Sequence, residues 1–227
     1  MTTSKSTRLS PDARREQLVA LGLDLLGRTP PDQVSIESIA RAAGISKGLL
    51  YHYFPTKSDF VVAVLRRSRD ELERRMAPDL TVELSVGERL DASIDAFLGY
   101  VRDHAVGFLA IAHAHGGEDP AIRAVIAENR ARRVSAMVEF AAALSCGPRE
   151  DVESPALVVA LEGWLSFCEG VVARWLERDD IGRAEVRHLM RTNLLATLAS
   201  VADLDPRPAA GRLARAADAL RTGPVAA

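Results

Sequence analysis

The sequence predicts an all-α protein in two parts: a small three-helix unit carrying a helix-turn-helix, followed by a larger helical domain. Three observations predict it. Apolar residues recur at three- and four-residue spacing along nearly the whole chain, and no stretch alternates with strand period. The runs are separated by turn chemistry: "GRTPPDQ", "APDL", "HGGEDP", "SCGPRED" and "RDDIG". Charge is uneven, too. Met1 to Lys57 holds eight Lys/Arg and five Asp/Glu, a net of +3, which leaves −5 for the rest of a chain whose formal charge is −2.

The boundaries follow from the breaks. Residues 1–9 form a polar arm with Lys5 and Arg8 as its charges. Residues 10–57 form the helix-turn-helix domain, 58–205 the larger domain, and 206–227 a tail with a weak helix near Ala210–Leu220. Ser10-Pro11-Asp12 starts the first helix: a cap, Pro at the first helical position, then an acid at the positive end of the dipole. Ser35 caps the second, with Val34 and Ile39 at hydrophobic-staple positions. Gly44 stops it. Ser46 caps the third, with Ile45 and Leu50 as its staple, and Pro55 ends it. Two short helices around so tight a turn have helix-turn-helix spacing. Thr56 opens a long helix, with Asp59 placed like the acid of a capping box. Further helices are expected near Gly87–His104, Ala105–His113, Pro120–Leu144, Ser154–Glu177 and Arg183–Val201.

Composition excludes several classes. At 48% hydrophobic and 26% charged, the chain reads as soluble and globular. The start "MTTSKSTRLSPDARREQL" has no apolar signal core, and unbroken apolar runs such as "ALVVAL" are too short to span a membrane. Cys146 and Cys168 make neither a disulfide framework nor a zinc pattern, so a reduced cytoplasmic setting fits. His113 and His115 lie two apart, which on a helix places them on different faces; no metal and no cofactor are expected. There is no Gly-x-Ser-x-Gly, no His-Glu-x-x-His, no phosphate loop and no nucleotide fingerprint, which weighs against an all-helical enzyme.

The short third helix carries the chemistry. Leu50 faces inward, leaving Lys47, Gly48, Leu49, Tyr51 and His52 outside. Tyr and His tips donate to phosphates or base edges, and Leu49 can touch a thymine methyl. Gly48 costs helix stability but lets another backbone approach. Lys57 sits in the first turn of the next helix, unfavourable unless an anion docks there. Tyr53 and Phe54 pack between helices, with the tyrosine hydroxyl near enough to reach a phosphate. A plain aromatic hinge is the competing reading; Gly48, the stapled turn and the local basic excess argue against it.

The stretch "VSIESIARAAGISKGLLYHYFPTKSDF" resembles the helix-turn-helix signature of the TetR family of bacterial transcription regulators. The resemblance rests on Ile39-Ala40, Ala43 to Gly48, Leu50 to Phe54 and Lys57. It implies a sequence-specific DNA-binding regulator: a homodimer on a palindromic operator, usually repressing, released by a small-molecule effector. Carried over, Ser46 to His52 is the recognition helix. Lys47, Gly48, Leu49, Tyr51 and His52 face the major groove, Tyr53 faces a phosphate strand, Ser35 and Lys57 clamp phosphates, and Arg8 or Lys5 enters the minor groove. Leu49 stands where the family often has Thr or Ser, and Phe60 where Leu is more usual.

The Ser154–Glu177 helix is apolar on two faces, so it needs cover on two sides. With Arg183–Val201 it would make a four-helix interface between two chains, the arrangement the family resemblance implies, through Leu161, Leu165, Val172, Trp175, Met190 and Leu194; a purely internal core is the competing reading. Glu162 and Glu169 interrupt the apolar surface, as interface ion pairs or as contacts to a cationic ligand. Ligand-pocket candidates are Tyr100, Phe108, Phe140 and Trp164. A helical adaptor without a ligand is the remaining alternative.

Overall fold

A computed structural model describes residues 10–29, 34–77, 83–114, 119–178 and 180–222. Among them every regular element is a helix: α1 (Pro11–Arg28), α2 (Ile36–Ala42), α3 (Lys47–Tyr53), α4 (Lys57–Met76), α5 (Val86–Asp103), α6 (Ala105–Ala114), α7 (Pro120–Leu144), α8 (Arg149–Val152), α9 (Pro155–Arg178), α10 (Arg183–Ser200) and α11 (Pro208–Thr222), with a 3-10 turn at Val201–Asp203. The N-terminal arm with Lys5 and Arg8, and His115, lie outside the described residues.

The helix starts have identifiable causes. Ser10 Oγ accepts from the Ala13 amide at 3.2 Å, and Pro11 occupies the first helical position. Ser35 and Ser38 cap reciprocally: Ser35 Oγ accepts from Ser38 N at 3.0 Å and Ser38 Oγ from Ser35 N at 2.9 Å. Thr56 and Asp59 form a second such box at the start of α4, at 3.0 and 3.1 Å. A short helix, α8, stands where "SCGPRED" reads as a turn. Before it, Cys146 takes the left-handed conformation (φ 52°), and the Cys146 and Gly147 amides donate to the Ala143 and Ala142 carbonyls.

The chain divides into two compact units. One comprises Met1–Glu71 and His104–Ile126, the other Leu72–Asp103 and Ala127–Ala227. The first unit is thus larger than the domain expected to end at Lys57. Phe60 and Val64 of α4 belong to its core, with Leu18, Val19, Leu23 and Leu26 of α1, Ile36 and Ile39 of α2, and Leu50 and Phe54 of α3. Phe60 and Phe54 meet edge to face, centroids 5.1 Å apart. Gly22 makes room for this pair: a Cβ there would lie 2.4 Å from Phe60 Cζ. Phe60 for Leu is therefore matched by a missing side chain on α1. Helix α6 joins the same unit by crossing α1, with Gly107 against the Leu26 carbonyl.

In the second unit α9 and α10 pack together, and α10 also packs on α5 and α11. The segment expected as a tail is the fifteen-residue α11, which buries Ala209, Ala210, Leu213 and Ala217. Its sequence signal is weak because three of those four contacts are alanines. Arg183 and Arg187 of α10 pair with Asp95 of α5, and Arg191 with Asp91 at 3.1 Å.

One expectation needs correction. Leu161, Leu165, Val172, Trp175, Met190 and Leu194 are all buried within the chain itself, between 0% and 7% exposed. They form the core of this unit and are not available to a partner. By length and composition alone α9 is long and apolar enough to cross a membrane, although Glu162 and Glu169 break its apolar runs. Its buried row, Leu157 to Trp175, is that of a core helix here.

Asp205 clasps the end of the unit. It is buried, and its carboxylate accepts from Arg207 Nε at 3.0 Å and Nη2 at 2.7 Å, while Arg207 Nη2 also donates to the Glu153 carbonyl at 2.9 Å. Hydrogen bonds from Arg207 hold the Asp205 carboxyl down to about 2, below its ordinary 3.8. A depressed carboxylate adds stability above its unfolded pKa and loses it as pH falls through the folded one. Asp205→Asn should therefore cost about 1–3 kcal/mol in urea unfolding at pH 7. The gap to the unsubstituted protein should close between about pH 4 and 2.

Candidate nucleic-acid interface

The turn between α2 and α3 is set by Gly44, whose φ of +63° is open to glycine at no steric cost. The Gly44 amide donates to the Arg41 carbonyl at 3.1 Å and the Ile45 amide to Ala40 at 3.0 Å, the pattern of a Schellman cap. Ser46 then turns the chain into α3, its Oγ accepting from the Leu49 amide at 3.1 Å. Helix α3 has only two turns. Leu50 and Phe54, 0% and 1% exposed, fasten it to the core, and Ile45 packs against the same cluster.

This anchoring decides what points outward. Lys47, Gly48, Leu49, Tyr51 and His52 are all exposed. Leu49 at 39% and Tyr51 at 41% are among the few large apolar side chains left to solvent. Tyr53 is half-buried against the core, its ring 5.3 Å from that of His52. Ser35, Ser46 and Lys57 are exposed at the starts of α2, α3 and α4. Both serine hydroxyls already accept a capping hydrogen bond.

Lys47 is engaged as well. Its ammonium pairs with Glu37 of α2 and stands 5.9 Å from the Tyr51 ring centroid. The hydrogen bond raises the Lys47 pKa and lowers that of Glu37. Sequence reasoning missed Glu37, ten residues away across the turn, because neither helix period links the two.

An added Cβ at Gly48 would meet nothing within 4 Å. Packing within the protein therefore does not require glycine here, whereas the first turn of a helix disfavours it.

The other site candidates divide between the two units. Phe108 belongs to the first unit; Tyr100, Phe140 and Trp164 belong to the second. The Trp164 indole is buried and donates to the Met190 carbonyl at 3.1 Å, and Tyr100 lies under Arg75, 5.2 Å from the guanidinium carbon. A shallow concavity at Ile181, Ala184, Glu185, His188 and Leu189 and a narrow one at Gln17, Leu18, Leu21, Ala42 and Ala43 include none of the four. Glu169 pairs with Arg130 of α7 within the same chain, and Glu162 is exposed. No group of three or more metal-ligating side chains occurs among the described residues.

Residues 18–64 match the family model of bacterial regulatory proteins of the tetR family, and residues 86–198 that of the tetracyclin repressor-like C-terminal domain. The chain belongs to the TetR family. A crystal structure of a tetR-family transcriptional regulator from Streptomyces coelicolor is 30% identical, with a TM-score of 0.76, over 93% of this chain and 90% of that one. The HTH-type transcriptional activator FasR of Mycolicibacterium smegmatis is 29% identical over 107 residues, 47% of this chain and 49% of FasR. The HTH-type transcriptional repressor KstR2 of the same species is 30% identical over 134 residues, 59% of this chain and 58% of KstR2. The chain thus spans about half the length of these curated relatives. The two matched regions are the helix-turn-helix domain and the C-terminal domain of TetR-family transcriptional regulators.

Position 48 carries no packing duty, so a substitution there tests folding and binding separately. Gly48→Ala should raise stability by about 0.5–1 kcal/mol. The same substitution should weaken binding to target DNA, measured by mobility shift, because a methyl group then stands on the approaching face.

Proposed function

We propose that this regulator is a ligand-responsive repressor that binds a palindromic operator as a homodimer in the cytoplasm. The observation that carries the proposal is the outer face of α3. Lys47, Gly48, Leu49, Tyr51 and His52 are presented together on a helix whose other side is buried in a rigid core. In this reading Lys47, Tyr51 and His52 donate to phosphates and base edges, and Leu49 contacts a thymine methyl. Tyr53, Ser35, Ser46 and Lys57 hold the phosphate backbone, and Arg8 reaches the minor groove. Lys47 exchanges Glu37 for DNA on docking.

The homodimer rests on the outer surfaces of α9 and α10. Val159 is 66% exposed and Leu189 43%. Gly163 and Gly170 lie exposed on α9, and a Cβ at either would meet nothing within 4 Å. A helix surface with glycines and an exposed valine lets a partner helix approach closely. Two-fold pairing places two reading helices on two half-sites. An effector that binds one conformer better than the other shifts operator occupancy.

Footprinting upstream of the protein's own gene tests both parts. The protein should protect two symmetric half-sites. Val159→Lys, at an exposed position with little effect on folding, should yield monomers and lose that protection. Protection of a single, non-symmetric site, unchanged by Val159→Lys, would refute the dimer.

A further inference from the structure

Arg130 and Arg133 stand one turn apart on α7, against the same stretch of α9. Arg130 is fully engaged. Its Nη1 donates to both carboxylate oxygens of Glu169, at 2.9 and 3.0 Å, and its Nη2 to the Glu162 carbonyl and Ser166 Oγ, both at 2.7 Å. Arg133 has no comparable partner. Its Nη2 lies 4.0 Å from Glu169 Oε1, the outer limit of an ion pair, and its buried Nε finds no acceptor among the described residues.

Two guanidiniums therefore share one carboxylate, and only Arg130 is within hydrogen-bond distance of it. The charges acting on Arg133 are that same Glu169 and the like charge of Arg130; no second carboxylate offsets it. Cys168 beside it supplies no anion, because burial pushes its thiol far above the ordinary range. Burial also disfavours the charged form of Arg133. A guanidinium with a buried donor and no acceptor is costly to keep. Yet its side chain is 36% exposed, so its outer end is open to a solute.

We propose that Arg133, steadied by the Arg130–Glu169 pair, binds a carboxylate or phosphate group of a small-molecule effector. At the exposed outer end an oxyanion supplies two acceptors to the terminal guanidinium nitrogens and the negative charge that Glu169 gives mainly to Arg130. This inference rests on the ligand-responsive reading above and gives its effector a negative charge.

The test measures the melting temperature of the full chain in sodium phosphate, sodium acetate and sodium chloride at matched ionic strength and pH. An anion bound only by the folded state raises it, here by roughly 3–6 °C over chloride at ten times Kd. The phosphate and acetate arms tell which oxyanion the site prefers. Arg133→Met should lose the increment, and any general salt effect cancels between the two proteins. Should Arg133→Met fail to fold, Arg133→Lys keeps the charge without the fork and should show a reduced increment. An increment equal in the unsubstituted protein and the variant overturns the site. Mobility shift on operator DNA in the same salts separates the two readings. An Arg133-dependent increment with no DNA binding by either protein upholds the anion site and refutes the regulator reading.

Discussion

The inward packing of Leu50 and Phe54 is the constraint on which the DNA-facing end depends. A helix of seven residues does not persist alone in water. Burying these two side chains contributes about 1.5–3 kcal/mol each, and the Ser46 cap about 1 kcal/mol more. Both side chains reach a core in which Phe60 meets Phe54 edge to face and Gly22 leaves space for Phe60. Because the inner face holds the helix, the outer face gives the fold only the exposed Lys47–Glu37 pair. That is why Gly48, poor for a helix, and Leu49 and Tyr51, poor for solvent, are tolerated there.

The second unit divides its helices in the same way. On α9 the row from Leu157 to Trp175 fills the interior, while Val159, Gly163 and Gly170 remain outside. On α10 the inner row runs from Val186 to Leu198, and arginines at 183, 187 and 191 fasten the helix to α5. Charge on these helices is therefore mostly matched in pairs. Arg133 stands out because its pair is incomplete.

Much of the fold was legible because its signals are local. Ser10-Pro11, Ser35, Ser46 and Thr56 with Asp59 mark helix starts through contacts within three residues, and Gly44 marks a stop through its own φ. The face of α3 was legible for the same reason, since Leu50 alone sets its rotation. What was not legible depends on which distant residue lies opposite. Periodicity shows that α9 is apolar on two faces but not which face its own chain covers, so Leu161 and Met190 were assigned to a partner. The closeness of Gly22 to Phe60, the Glu37–Lys47 pair and the sharing of Glu169 between two arginines span 38, 10 and 39 or 36 positions. No spacing rule reaches that far. The small helix α8 has too few residues to show a period, and α11 buries mainly alanine.

The adjacent leucines of α3 test the central division of labour most directly. Leu49→Ala and Leu50→Ala are compared in one thermal-unfolding and operator-binding experiment. Leu49→Ala should leave stability within about 0.5 kcal/mol and change operator preference. Leu50→Ala should cost about 2–5 kcal/mol. Equal destabilisation by both, or unaltered operator preference in Leu49→Ala, would contradict a reading face supported from behind.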